Sequence, residues 1–198
     1  MPAFSTKTPT VEGVLTPPAP GQYEIGSQSG SLLLHAIRRG IAARVGHDLL
    51  IQASNWHGRI SIPEHPTAQP TVSVSVDMRE LQVLEGTGGV RPLSEADKRD
   101  IKGTLGKVLQ TGRYPEATFT STSAHVRDEG ATVEGELKMN GQSHPLRLEV
   151  HRREDGVIAG STSVLQSTWG IKPYTGFFGA LRLRDAVDVE FSVSLPGA

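Results

Sequence analysis

Two stretches of the 198-residue chain carry side chains able to bind or react. The first is Gly46-His47-Asp48, set between the apolar runs SLLLHAI and LLIQAS. A neutral imidazole at His47 suits a quinone carbonyl or a hydroxyl head group, and Asp48 can orient the ring. The same two residues can serve as a proton-transfer pair acting on a bound lipid. The plainer alternative is a turn in which Asp48 satisfies backbone donors and His47 is incidental. The second stretch is QSTWGIKPYTGFFGAL, which gathers Trp169, Tyr174, Phe177 and Phe178 in a chain with only 2 Trp, 3 Tyr and 5 Phe. Gly170, Gly176, Gly179 and Pro173 interrupt any strand there and allow a bend. The rings then close a core or close over a ligand. Trp169 suits the first role, Tyr174 and Phe178 the second, with Phe177 packed beside them and Lys172 at the rim.

Other polar groups point to less. His35 faces away from Leu32 and Leu34 and reads as a strand histidine, and His57 next to Trp56 fits either role. No two histidines stand at HxH or HxxxH spacing and cysteine is absent, so no metal site is expected, and disulfides and thiolate chemistry are excluded. Arg38, Arg39 and Arg44 can steer a phosphate or carboxylate at a rim, but a solvated loop is the reading preferred for them. EGTGGV, residues 85–90, lacks the GK[ST] of a phosphate loop and has no strand–helix–strand context.

These side chains must be held by strands. In TVSVSVDM, Val72, Val74, Val76 and Met78 share one face. Val187, Val189, Phe191, Val193 and Leu195 do so in AVDVEFSVSL, as do Val133, Leu137 and Met139 in TVEGELKM and Leu146, Leu148 and Val150 in PLRLEV. A period of two means one dry face and one wet face. RDEGA, NGQSHP and REDG punctuate the runs as hairpin turns. One segment differs: SEADKRDIKGTLGKVLQTG has Ile101, Leu105, Val108 and Leu109 at helical spacing, a capping box from Ser94 to Asp97, and Gly112 as a stop. It is placed as a lid that buries Ile101 and Leu105. One-sided strands must either pair two sheets around a filled core or roll one sheet into a barrel. The pattern does not choose between them.

Bulk properties narrow the function. Net charge is −1, with 36% hydrophobic and 21% charged residues, which argues against nucleic-acid binding. No run approaches the roughly 18 apolar residues of a membrane span, so no stable membrane insertion is expected. Residues 1–20 read as a loose Thr/Pro-rich tail without a signal h-region, and the expectation is a cytoplasmic protein with one domain over 21–198. Val, Leu and small residues on the dry faces leave room for an elongated apolar channel. A methylene contributes roughly 0.8 kcal/mol on burial, while association costs on the order of 4–15 kcal/mol, so a guest needs on the order of ten or more carbons.

YEIGSQSGSLLLHAIR, LQTGRYPEATFTS, VEGELKMNGQSHPLRLEV and QSTWGIKPYTGFFGALRLRDAVDVEFSV together resemble the YceI-like family. The more specific elements are YP-x-x-x-F and GELKMNGQSHP. The resemblance implies an all-β fold, a lipocalin-like antiparallel barrel of about eight strands with one inserted α-helix. It implies a non-catalytic carrier of a polyisoprenoid, a quinone tail or a fatty-acid-like amphiphile. Many relatives carry a secretory signal. The residues expected to meet the ligand are His47, Asp48, Trp169, Tyr174, Phe177, Phe178, Val74, Val76 and Phe191. No cofactor is required beyond a co-purified lipid, and a homodimer is left open. The two rival expectations are an enzyme using His47 and Asp48, and a filled β-sandwich interaction module.

Overall fold

The period-two runs become strands of one continuous antiparallel sheet. The structure, a computed structural model, describes residues 18–65, 67–127 and 130–195; residues 1–17, where the tail is expected, lie outside the described residues. The strands are β1 (Gly21–Gly26), β2 (Gly30–Arg39), β3 (Asp48–Ala53), β4 (Trp56–Ile62), β5 (Thr71–Asp77), β6 (Leu81–Thr87), β7 (Glu116–Arg127), β8 (Gly130–Met139), β9 (Gln142–Arg152), β10 (Ile158–Leu165), β11 (Thr175–Gly176) and β12 (Leu181–Val193). One helix, α1 (Glu95–Val108), stands between β6 and β7. The hydrogen-bonded order is β1-β4-β5-β7-β8-β9-β10-β12-β2-β3-β6, with the short β11 paired to β12.

That order closes on itself because six of the strands are halves of three bent ones. The β1:β4 ladder ends near Gly26↔His57 and runs on as the β2:β3 ladder at Leu33↔Gln52. Likewise Trp56↔Val76 between β4 and β5 is followed by Ala53↔Leu81 between β3 and β6. Joined through their bends, these three long strands plus β7, β8, β9, β10 and β12 make eight limbs in up-and-down order. The β12:β2 and β5:β7 pairings close the ring. The bends sit side by side and hold one another: Ser27 N donates to Trp56 O (3.2 Å), Ser54 N to Glu80 O (3.0 Å) and Asp77 N to Asn55 O (2.9 Å). Asp77 also caps the short turn Met78–Glu80 by accepting from Arg79 N at 3.0 Å.

The helix covers the place where β6 lacks a further strand. Its start is the expected capping box: Ser94 Oγ accepts from Asp97 N, and Asp97 accepts from Ser94 N at 2.8 Å. Arg91 adds a two-pronged ion pair to Asp97, at 2.8 and 3.0 Å. Ile101, Leu105 and Leu109 pack against the main core cluster, so the lid expectation holds. The helix stops earlier than Gly112 would dictate. Leu109 is the C-cap, and Gln110, at φ 51°, takes the left-handed turn usually left to glycine. Gln110 N then donates to Lys107 O (3.3 Å) and Gln110 O accepts from Tyr114 N (2.9 Å), so backbone bonds fix the turn. Among the described residues no helix is long and apolar enough to cross a membrane.

Candidate functional site

The dry faces of the strands surround a cavity of about 950 Å³. Val72, Val74, Val76 and Met78 line it from one wall, Leu146, Leu148 and Val150 from another, and Val187, Val189, Phe191 and Val193 from a third. Ile101 and Leu105 of α1 form part of its cover. The sheet is single and its interior is hollow, so the filled two-sheet sandwich does not describe this chain.

Two glycines help keep the lumen open. Phe191 pairs across strands with Gly160, and a Cβ at Gly160 would run into the Phe191 ring and into Glu149 O. Phe119 is diagonal to Gly135, where a Cβ would meet the Phe119 ring and Thr120 O. Each ring therefore lies down over a bare stretch of the neighbouring strand instead of standing upright in the lumen.

All polar side chains of the lining except Thr162 gather at one end. There β2 ends and β3 begins, β6 ends, β10 ends and β12 begins, so residues 40–47, 88–94 and 166–180 converge with the first turns of α1. The loops are tied together: Ala42 N donates to Ala180 O (3.1 Å) and Leu183 N to Tyr174 O (3.0 Å). His47 lines this mouth and its Nε2 lies 2.7 Å from Arg91 O. A carbonyl only accepts, so Nε2 carries the proton and the neutral ring leaves Nδ1 as an acceptor. Gly89 makes the position available, because a Cβ there would occupy the space of the His47 ring; Gly88 does the same for the Arg38 guanidinium. The EGTGGV run thus serves close packing of these two side chains. Asp97, also in the lining, is held far below the usual carboxylate range, first by the hydrogen bond from the Arg91 guanidinium and then by Ser94.

The other expected ligand residues divide. Tyr174, Val74, Val76 and Phe191 line the cavity with His47. Asp48 does not: its Oδ1 accepts from Arg38 N at 2.8 Å and lies 3.9 Å from Arg38 Nε. The carboxylate satisfies a backbone donor, as the plainer reading of the triplet had it, and no hydrogen bond links it to His47 among the described residues. The proton-transfer pair is not assembled. Trp169 is wall, not lining. It is 2% exposed, packs with Val164 and Ile171, donates from Nε1 to Leu137 O at 2.9 Å, and accepts at its own carbonyl from Asn140 Nδ2 at 2.8 Å. Phe178 is fully exposed at φ 54° and points away from the lumen, because the turn at Phe177–Gly179 carries it outward. The Phe177 side chain lies outside the described residues. Sequence reasoning missed Arg91, Asp97, Asp100, Thr104 and Gln166 at the mouth and Thr162 deeper in. The capping box did flag Asp97, but as a helix start.

The YceI-like domain matches residues 38–195. The chain belongs to the YceI-like family. It is 29% identical over 119 residues to a UPF0312 protein of Shewanella sp. (strain W3-18-1), covering 54% of this chain and 58% of that protein. To a UPF0312 protein of Yersinia enterocolitica it is 49% identical over 41 residues, 21% of each chain. Each match spans less than two thirds of the relative's length. Among solved structures, BcnA of Burkholderia cenocepacia superposes with TM-score 0.58 at 14% identity, covering 82% of this chain and 94% of that one. The YCEI protein of Campylobacter jejuni gives 0.54 at 13% identity, over 75% and 85%. At such identities the likeness is one of fold, a lipocalin-like barrel.

Proposed function

We propose that this YceI-like barrel is a non-catalytic carrier of one long-chain amphiphile, a polyisoprenoid, quinone tail or fatty-acid-like molecule, with its polar end at His47. The observation that supports the reading is the size and chemistry of the lumen. About 950 Å³ lies at the upper end of the range of small-molecule sites, and its walls are almost wholly aliphatic. Among the described residues the one polar side chain along those walls is Thr162, whose hydroxyl donates to Arg147 O at 2.7 Å, whereas each methylene of a chain gains roughly 0.8 kcal/mol there. With Nε2 donating to Arg91 O, Nδ1 of His47 is left to accept from a hydroxyl.

Organic extraction of the purified protein followed by mass spectrometry tests the reading. A co-purifying amphiphile, or uptake of added polyprenyl quinone by the extracted protein, supports it. Reproducible absence of both overturns it.

A further inference from the structure

The mouth of the lumen has a rim unlike the rest of the surface. Residues 38–47, 86–94 and 170–184 hold seven Arg and Lys and no Asp or Glu, in a chain whose net charge is −1. Arg38 and Arg91 are engaged by Asp48 and Asp97. Arg39, Arg44, Lys172 and Arg182 are exposed and meet no carboxylate among the described residues. Of the acids near the mouth, Asp97 and Asp100 lie on the α1 side and Arg91 neutralises the first, Asp48 is engaged by Arg38, and Asp185 accepts from Ser167 N at 2.8 Å.

The same loops lift apolar side chains into solvent. Of the large hydrophobic residues exposed among those described, Ile41 (94%), Val45, Val90 (82%) and Phe178 (113%) all stand on this rim. Phe178 is the most telling. A phenylalanine at φ 54° is strained, and here the strain holds the ring away from every core cluster. Exposed apolar tips among unpaired cations match the two requirements of peripheral binding to an anionic bilayer, in which rings enter the interface and cations attract the head groups.

We infer that the mouth docks, rim first, on an anionic lipid surface, so that the lumen opens against the bilayer and a chain passes between them without crossing water. The inference rests on the carrier reading for its purpose, but the docking surface has its own readout. Full-length protein is sedimented with vesicles of phosphatidylcholine containing phosphatidylglycerol, and with phosphatidylcholine alone. Binding is expected to the first, weakened by salt, and weaker to the second. Each cation near such a surface is worth about fivefold, so Arg44→Glu with Lys172→Glu lowers partitioning about 25-fold or more. Ile41→Ser with Phe178→Ser, neither in the lining, lowers it as well. Uptake of a dissolved fluorescent acyl chain, measured on the same proteins, is expected to be unchanged in both double variants. Absence of binding to anionic vesicles, or binding that neither double variant weakens, overturns the inference. So does a dimer dissolved by Ile41→Ser with Phe178→Ser in a protein that ignores vesicles, which would assign the rim to a second copy. An unsubstituted protein that takes up the chain but ignores anionic vesicles sinks this inference alone; one that docks on them but takes up no chain sinks the carrier reading alone.

Discussion

His47 illustrates what a single residue owes to distant ones. Its neighbours in sequence, Gly46 and Asp48, invite a catalytic pair, but its hydrogen-bond partner is Arg91 O, 44 positions away, and the room for its ring comes from Gly89. No local pattern carries that information. Gly89→Ala is expected to push the ring off the carbonyl and lower stability by about 1 kcal/mol, the worth of one hydrogen bond, seen as a small drop in the urea midpoint. Trp169 behaves differently. Its Gly-broken surroundings left core and ligand roles both open, and the roles separate only once Leu137, Val164 and Ile171 are seen around it. Trp169→Ala is expected to cost about 3–5 kcal/mol in denaturant unfolding. Loss of only a few tenths would mean that the ring is not the wedge of the wall.

At the scale of elements, the strands with strict alternation were legible because each has one dry face throughout. The bent strands were not, since each bend at residues 27–29, 54–55 and 78–80 interrupts the period, and SLLLHAI, LLIQAS and GRISI read as separate weak runs. The bends also carry a pH dependence. The side-chain hydrogen bond from Arg79 holds Asp77 down to about 2 from 3.8, and Glu149, bonded by Arg147, is lowered as well. With folded values below unfolded ones, the unfolded chain takes up protons first as pH falls. The stability these carboxylates supply is therefore full above about pH 4 and is lost on the way down to about 2. Thermal melting is expected to be flat across neutral pH in this respect and to fall below about pH 4, less steeply in Asp77→Asn. The two ring seats give another element-scale expectation. Gly160→Val displaces the Phe191 ring toward the lumen, lowers stability by about 1–3 kcal/mol, and weakens uptake of a long chain.

For the whole molecule the decisive property is that eight limbs close around space instead of around side chains. A repeating dry face is compatible with a barrel or a sandwich, and the family resemblance, not the periodicity, pointed to the barrel. Closure depends on the β12:β2 pairing, which joins the two ends of the chain and has no local signature. Hollowness makes an inverted prediction about packing. Adding bulk to a filled core costs about 1–3 kcal/mol. Val189→Trp, half-buried in the mid-barrel lining, is expected to leave the melting temperature unchanged or raise it while reducing chain uptake at least tenfold.

Calorimetric titration with saturated fatty acids of increasing length tests the lumen most directly. Burial of each added methylene at roughly 0.8 kcal/mol predicts an affinity that rises about fourfold per carbon until the lumen is full, then levels off. An affinity independent of chain length, or no binding at any length, would contradict an interior built to hold a hydrocarbon chain.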